Sequence, residues 1–126
     1  MAGQAFGWDE AGAAGRVQAG GVMLEAYTVG PRPGSAPTLV LLHEGLGCVA
    51  LWRDFPKQLA TDTGYGVFAY SRAGYGASDP CSLPRPLDYM TREAVSVLPD
   101  VLDSIGFKEG VLLGHSDGAS IAAVHA

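Results

Sequence analysis

Three short and uninterrupted apolar runs dominate the hydrophobic pattern of the chain. They occupy residues 39–42, 67–70 and 111–113. Runs of this length without polar alternation are typical of strands that are buried on both faces of a parallel sheet. Residues 22–29 predict a further strand, which residues 16–19 could join as a hairpin. The pattern therefore predicts a sheet with a largely buried centre.

Two segments between these runs carry apolar residues at helical spacing. The apolar face of the first consists of Leu51, Trp52, Phe55, Leu59 and Ala60. Pro56 fits such a helix only within its first turn. The apolar stripe of the second consists of Met90, Ala94, Val95, Leu98, Val101, Leu102 and Ile105. Asp88 or Thr91 could cap this second helix, Pro99 should kink it, and Gly106 could end it.

The order of the elements predicts the fold class. Residues 118–124 begin a third helix, so strands and helices alternate along the chain after residue 38. This alternation is typical of right-handed crossovers onto a parallel sheet, and the fold class is α/β. Residues 1–15, rich in Ala and Gly without periodicity, are expected to be a loose lead-in, and residues 16–126 to form one α/β domain.

Composition and charge exclude several classes of function. Hydrophobic residues make up 48% of the 126 residues and charged residues 17%, a balance typical of a globular chain. The net charge is −5, and the 8 Lys and Arg residues are scattered. No basic face is therefore expected for nucleic acid or for an anionic membrane surface, and neither is predicted as a partner.

The predicted location is the cytoplasm. Cys48 and Cys81 lack the spacing of metal ligands and predict free thiols in a reducing compartment. Residues 1–15 have neither the basic nor the apolar region of a signal peptide, and no apolar run is long enough to span a membrane. No residue pattern predicts a metal site or specifies a cofactor.

Residues 114–118, Gly-His-Ser-Asp-Gly, match the G-x-S-x-G nucleophile elbow. In that motif a strand turns sharply into a helix and exposes a serine hydroxyl at the apex. The pattern alone is a weak signal in a chain with 18 glycines, but here it directly follows a predicted strand and directly opens a predicted helix. Ser116 is the predicted nucleophile, and Gly114 and Gly118 are predicted to leave room for the tight turn.

Acyl transfer also needs hydrogen-bond donors for the oxyanion that forms at the carbonyl. The backbone N–H of Asp117 is one predicted donor, because it lies at a helix N-terminus beside the nucleophile. The second donor normally comes from the loop after an earlier buried strand, and residues 43–47 form a glycine-bearing loop in that place. The backbone N–H of Gly45 is the predicted second donor, with that of Leu46 as the alternative.

Three motifs, in this order and spacing, resemble those of the α/β-hydrolase superfamily in its esterase, lipase and C–C hydrolase branch. Residues 41–47, Leu-Leu-His-Glu-Gly-Leu-Gly, are similar to the family's His-Gly oxyanion segment, although Glu44 stands where the family more often has Gly. Residues 70–78 are similar to the family's Arg-Gly-x-Gly-x-Ser loop, and the elbow follows. The resemblance implies a mostly parallel sheet flanked by helices, of which this chain holds the N-terminal part up to the elbow helix.

The resemblance also implies the chemistry. Ser116 would attack an ester, thioester or related acyl or C–C bond of a small-molecule substrate. The family's histidine and acid follow the elbow helix, so both are expected beyond residue 126, and the chain alone is expected to be inactive. His43, His115 and His125 are not expected to replace the base. The Asp nucleophile of dehalogenases and epoxide hydrolases is absent, which argues against those chemistries; the alternative is a non-catalytic binding or remnant module.

Other residues near these motifs have two possible roles. His43 is predicted to support its loop rather than to carry a proton, and Arg72 to organise its loop through hydrogen bonds. Asp117 could recognise a cationic group of a substrate, although favourable charge placement at a helix N-terminus explains it as well. Trp52 and Phe55 are predicted to be core residues, with substrate contact as the alternative.

Overall fold

The computed structural model describes residues 6–45, 47–81 and 87–126, and the predicted lead-in lies partly outside them. Five strands and four α-helices make up the described fold. The strands are β1 Ala13–Ala19, β2 Val22–Val29, β3 Thr38–Leu42, β4 Gly66–Tyr70 and β5 Gly110–Gly114. The α-helices are α1 Phe55–Thr63, α2 Tyr89–Arg92, α3 Leu98–Ile105 and α4 Asp117–His125. A 3₁₀ helix at Val49–Trp52 precedes α1, and a π-helical segment at Glu93–Val97 joins α2 to α3.

The five strands form one mixed sheet in the order β1-β2-β4-β3-β5. The hairpin partner β1 is antiparallel to β2, and β2 is antiparallel to β4. The central strand β3 is parallel to both β4 and β5. Every residue of β3 and β4 is buried, as the apolar runs predict. The α/β fold class is therefore confirmed.

The prediction that β5 is buried on both faces is wrong. Val111 and Leu113 are 53% and 38% exposed. Strand β5 lies at the edge of the described sheet, where it pairs with β3 alone, and α4 is the helix that packs against it. One neighbouring strand and one covering helix leave the other face and the outer edge open.

The predicted helix over residues 51–60 is divided into two. The 3₁₀ helix ends at Trp52, and Arg53 follows with φ 54°, a left-handed conformation that interrupts helical hydrogen bonding. Helix α1 then starts at Phe55, and Pro56 lies in its first turn as expected, where a missing N–H costs nothing. The interruption turns Phe55 outward, so it is 42% exposed and the prediction of a core position for it is wrong.

The second predicted helix contains the irregularity expected at Pro99. The Leu98 N–H donates to the Glu93 carbonyl oxygen, a π-type bond that directly precedes the proline. The buried stripe consists of Ala94, Leu98, Val101 and Ile105. Val95, predicted to belong to that stripe, is 62% exposed, because the wider π turn rotates it away from the core.

The sequence predicts the C-terminal end of this helical region correctly, but not the cap at its N-terminal end. Gly106, at φ 73°, ends α3 in the left-handed conformation that glycine favours. Asp88 precedes α2 but makes no side-chain capping bond; its carboxylate instead pairs with Arg92 at 3.0 Å. Thr91, the other candidate cap, lies inside α2.

Two apolar clusters cover the two faces of the sheet. The larger packs α3 and α4 against one face and includes Phe68, Leu98 and Ile121. The smaller packs α1 against the other face and includes Leu41 and Val67. The parallel strands β3, β4 and β5 end on the same edge of the sheet, which places the loop after β3, the loop after β4 and the elbow after β5 side by side.

Candidate active site

The turn between β5 and α4 holds Ser116 in an unusual backbone conformation. Its φ is 56° and its ψ is −114°, a region that residues with a side chain rarely adopt. Ser116 is exposed and stands directly before the first residue of α4. A serine hydroxyl at the apex of a sharp strand-to-helix turn is thus presented to solvent at the carboxyl edge of the sheet.

The two glycines of the turn are required by close backbone contacts. A Cβ atom on Gly114 would overlap the backbone of Gly118, one turn further along the chain. A Cβ atom on Gly118 would overlap the carbonyl oxygen of Leu42, at the end of the neighbouring strand β3. The absence of both side chains lets α4 start directly against β3 and β5.

The loop after β3 lies against the elbow. Residues 43–45 and Gly47 are described, whereas Leu46, the alternative oxyanion donor, lies outside the described residues. The Gly47 N–H donates to the Glu44 carbonyl oxygen at 3.1 Å and closes a turn. A Cβ atom on Gly45 would lie 2.8 Å from Asp117 Oδ2, so the structure brings these two predicted donor residues into contact.

His43 and Arg72, both 2% exposed, fix the main chain of this loop. The Arg72 backbone N–H donates to His43 Nε2 at 3.0 Å, so Nε2 carries no proton. His43 Nδ1 must then be the protonated nitrogen, and it donates to the Glu44 carbonyl oxygen at 2.6 Å. The Arg72 guanidinium donates from Nη1 to the His43 carbonyl oxygen at 2.6 Å and from Nη2 to that of Glu44 at 3.2 Å. Both ring nitrogens of His43 are therefore engaged within the loop.

The loop after β4 is anchored by contacts that local sequence patterns did not indicate. Ser71 Oγ accepts the Val49 N–H at 2.8 Å and donates to Glu25 Oε1 at the same distance. Tyr75 contacts the loop after β3, with its ring tilted at 57° to that of His43 at a centroid distance of 4.8 Å and lying 5.2 Å from the Arg72 guanidinium carbon. Glu25 is a half-buried residue of β2, and its partner Ser71 lies 46 positions further along the chain, so no local pattern indicates this contact.

A hydrogen bond from Tyr89 to Asp117 connects helix α2 to the site. The Tyr89 hydroxyl donates to Asp117 Oδ2 at 2.6 Å and so links the first residue of α2 to the first residue of α4. The pKa of Tyr89 is raised, first by this hydrogen bond to a carboxylate, then by desolvation and by the negative charge of Asp117. Sequence reasoning missed Tyr89, because nothing in its local pattern distinguishes it from a surface residue of a helix.

The two remaining histidines have their own partners. His115 Nδ1 lies 3.7 Å from Glu44 Oε2, in a pair whose histidine side chain is 67% exposed. His125 Nδ1 lies 3.0 Å from the Ala94 carbonyl oxygen, which requires the proton on Nδ1. Among the described residues, no histidine hydrogen-bonds to Ser116 Oγ.

A cavity of about 290 Å³ opens beside the elbow on the α1 side of the sheet. His43, Glu44, Trp52 and His115 are among the residues that line it. Trp52 stacks on Phe55 with ring centroids 5.8 Å apart, packs against the smaller apolar cluster and contributes to the cavity wall. Trp52 is thus half-buried, with one part of its side chain in the apolar cluster and another at the cavity.

Two features are absent from the parts of the chain that the structure describes. Residues 6–45, 47–81 and 87–126 contain no cluster of three or more His, Cys, Asp or Glu side chains that could bind a metal ion. None of the helices in these ranges has the length and apolar character needed to cross a membrane.

Comparison with known proteins gives relatives for most of the chain. Epoxide hydrolase 3 of Siraitia grosvenorii is 35% identical over 91 residues, 71% of this chain and 27% of that protein. Epoxide hydrolase B of Mycobacterium tuberculosis is 32% identical over 102 residues, 81% of this chain and 28% of that protein. The crystal structure of epoxide hydrolase A from Mycobacterium thermoresistibile superposes with a TM-score of 0.73 at 29% identity, covering 90% of this chain and 34% of that one.

These matches agree with the fold described above. The chain spans little more than a quarter of the length of the two curated relatives. Residues 37–126, from the start of β3 through the elbow helix, match the family described as the alpha/beta hydrolase fold. The strand order, the elbow and this match together show that the chain belongs to the α/β-hydrolase family.

Proposed function

We propose that this chain carries the nucleophile of a serine hydrolase that cleaves an ester, a thioester or a related acyl or C–C bond. The observation that supports this most directly is the apex of the elbow, where the exposed residue at positive φ is Ser116. In the proposed reaction Ser116 Oγ attacks the substrate carbonyl and forms an acyl-enzyme, which water then hydrolyses.

Two backbone donors would stabilise the oxyanion of this reaction. The Asp117 N–H is one, and the N–H of Gly45 or Leu46 is the other. The contact between Gly45 and the Asp117 side chain supports this pairing, because it places the loop next to the start of α4. The hydrogen bonds from Arg72 to the His43 and Glu44 carbonyl oxygens would hold the loop rigid.

The general base and its acid partner are proposed to lie beyond residue 126. None of the histidines His43, His115 and His125 hydrogen-bonds to Ser116 Oγ, and each has another partner in the described structure. The curated relatives are more than three times as long as the matched segment. Without a base, Ser116 would remain a weak nucleophile near neutral pH, so the chain alone is expected to be inactive.

Epoxide hydrolysis is a second candidate, because the curated relatives are named epoxide hydrolases. A carboxylate that opens an epoxide forms an ester, which water can cleave, whereas a serine would form an ether that resists hydrolysis. Ser116 is therefore unsuited to a covalent epoxide mechanism. Asp117 supplies a carboxylate one position further on, but it belongs to α4 and accepts the Tyr89 hydroxyl.

The test is activity-based labelling of the full-length protein with a fluorophosphonate, together with turnover of ester and epoxide substrates. Ser116→Ala is expected to abolish labelling and to lower kcat for the ester by a factor on the order of 10⁶. Ser120→Ala, an exposed serine on the same helix, is the matched control and should leave both unchanged.

Three outcomes would contradict the proposal. Labelling or a kinetic burst that persists in Ser116→Ala would place the nucleophile elsewhere. Epoxide turnover that survives Ser116→Ala but is lost in Asp117→Asn would establish the second candidate. No labelling and no turnover by the intact protein would favour a non-catalytic binding module.

A further inference from the structure

The carboxylate of Asp117 lies beside both residues proposed as oxyanion donors. Its own residue directly follows Ser116 and supplies one proposed oxyanion donor. Its Oδ2 atom lies against the backbone of Gly45, the residue proposed as the other donor. A negative charge is thus held beside the position where a second negative charge would develop during acyl transfer.

No cationic side chain of the described residues forms an ion pair with this carboxylate. Its hydrogen-bond partner is the neutral phenol of Tyr89, at 2.6 Å. Arg72, the buried guanidinium of the neighbouring loop, donates instead to the carbonyl oxygens of His43 and Glu44. Glu44, the acidic residue of that loop, lies with its Oε2 atom 3.7 Å from His115 Nδ1.

The second carboxylate oxygen remains available. Asp117 is half-buried, and its Oδ1 atom accepts no hydrogen bond from the residues that the structure describes. Tyr89 holds Oδ2 and thereby orients the carboxylate, since the upward shift in the pKa of Tyr89 keeps the phenol protonated and able to donate. The charge is therefore held in place through Oδ2, while Oδ1 has no hydrogen-bond partner among the described residues.

A fixed negative charge beside an oxyanion opposes the reaction of a neutral substrate, and a positive charge on the substrate would offset it. We infer that Asp117 determines specificity at this site, and that it favours acyl substrates with an ammonium group close to the reacting carbonyl. This inference rests on the proposed serine hydrolase function and names the substrate class for the same site.

The experiment compares isosteric cationic and neutral esters in the full-length protein. Choline esters are paired with 3,3-dimethylbutyl esters, which replace the quaternary nitrogen by carbon on the alcohol side. Betaine esters are paired with 3,3-dimethylbutanoate esters in the same way on the acyl side. The measured quantity is the ratio of kcat/KM for the cationic ester to that for the neutral ester. The two esters differ in intrinsic reactivity, but this difference is the same for wild type and variant and so does not affect the change in the ratio.

Asp117→Asn is expected to lower this ratio about twofold to fivefold in at least one pair, as expected for loss of a partly exposed charge interaction. Asp117→Ser serves as a second variant with a residue suited to a helix start, should the amide disturb folding. Asp62→Asn removes the same charge from the exposed face of α1 and should leave the ratio unchanged. Added salt should lower the wild-type ratio but not that of Asp117→Asn.

A ratio that stays constant in both pairs on replacing Asp117 would overturn the inference while leaving the serine mechanism intact. Failure of the proposed function has a different signature, since neither member of any pair would then show turnover that depends on Ser116. The two results are separated by the same set of assays with Ser116→Ala included.

Discussion

At the scale of single residues, the elbow depends on two glycines, which have no side chain, and on the serine between them. Gly114 and Gly118 allow backbones to meet where a Cβ atom would overlap main-chain atoms. Ser116 occupies a backbone conformation that costs about 1–3 kcal/mol for a residue with a side chain. Packing of α4 against β3 and β5 must offset that cost.

Gly118→Ala is expected to lower the free energy of unfolding by about 3 kcal/mol or more, because its methyl group would overlap the Leu42 carbonyl oxygen and force α4 away from β3. Chemical denaturation at low protein concentration measures the change. Gly15→Ala is the matched control, since nothing lies within 4 Å of a Cβ atom there. Equal stability of the two variants would show that α4 does not pack as described.

The hydrogen bond between Tyr89 and Asp117 predicts a titration. The pKa of Tyr89 is raised above its ordinary value of 10.0, so the bond is present below that pH and is lost as the pH rises through the raised pKa. Asp117→Asn should return the Tyr89 pKa towards 10, as measured by NMR of ¹³C-labelled tyrosine. Asp62→Asn should not move it, and an unshifted Tyr89 in the wild type would rule out the bond in solution.

Residue-scale features differ in how far the sequence reveals them. The elbow could be recognised because its glycines and its serine are adjacent in the chain and follow an apolar run. Glu25 and Tyr89 could not, because each acts through a partner more than 25 residues away, at Ser71 and Asp117. Contacts of that range depend on how the strands are ordered in the sheet, which local patterns do not specify.

At the scale of elements, the π-helical segment leaves one backbone carbonyl oxygen without a partner inside its own helical region. The Ala94 carbonyl oxygen would accept a hydrogen bond from the N–H of residue 98 in an α-helix, or from that of residue 99 in a π-helix. Leu98 donates to Glu93 instead, and Pro99 has no N–H. The Ala94 oxygen is thereby left for the ring of His125, which ties α4 to this segment at 3.0 Å.

His125→Ala should therefore lower the free energy of unfolding by about 1 kcal/mol, since it leaves a carbonyl group without its partner. Thermal or urea denaturation checks the value. His115→Ala is the comparison, because the 67% exposed side chain of His115 pairs only loosely with Glu44 and its loss should change stability by less than about 0.5 kcal/mol. A larger loss at His115 than at His125 would contradict this assignment.

The sequence predicted the existence of these helices better than which of their residues are buried. Pro99 indicated a kink, but the rotation that exposes Val95 depends on the type of turn that replaces the regular helix. Phe55 shows the same limitation, because a single left-handed residue at Arg53 resets the helical phase before α1 begins. Periodicity predicts burial only where the backbone stays regular.

At the scale of the whole molecule, β5 has a free edge in the described sheet. Val111 and Leu113 are exposed there, beside unpaired backbone groups. Such an edge is a template for pairing with another chain. The 126 residues expressed alone are therefore expected to self-associate or to bind hydrophobic dyes.

Val111→Lys should raise the concentration at which these 126 residues associate, because a charge on an edge strand opposes pairing. Size-exclusion chromatography with light scattering over a range of concentrations measures this. Val95→Lys places the same charge at a similarly exposed helical position, at 62%, and should have no such effect. A monodisperse monomer with a cooperative melt at all concentrations would contradict the prediction.

The strand order has a consequence for the nascent chain on the ribosome. Both neighbours of β3 in the sheet, β4 and β5, are made after it, and the strand made just before it, β2, is separated from it by the position that β4 fills. The fully apolar β3 therefore leaves the exit tunnel with no partner available. Until β4 has been translated, we expect this segment to be shielded by non-specific collapse or by a chaperone, because transiently exposed apolar chain is prone to aggregate.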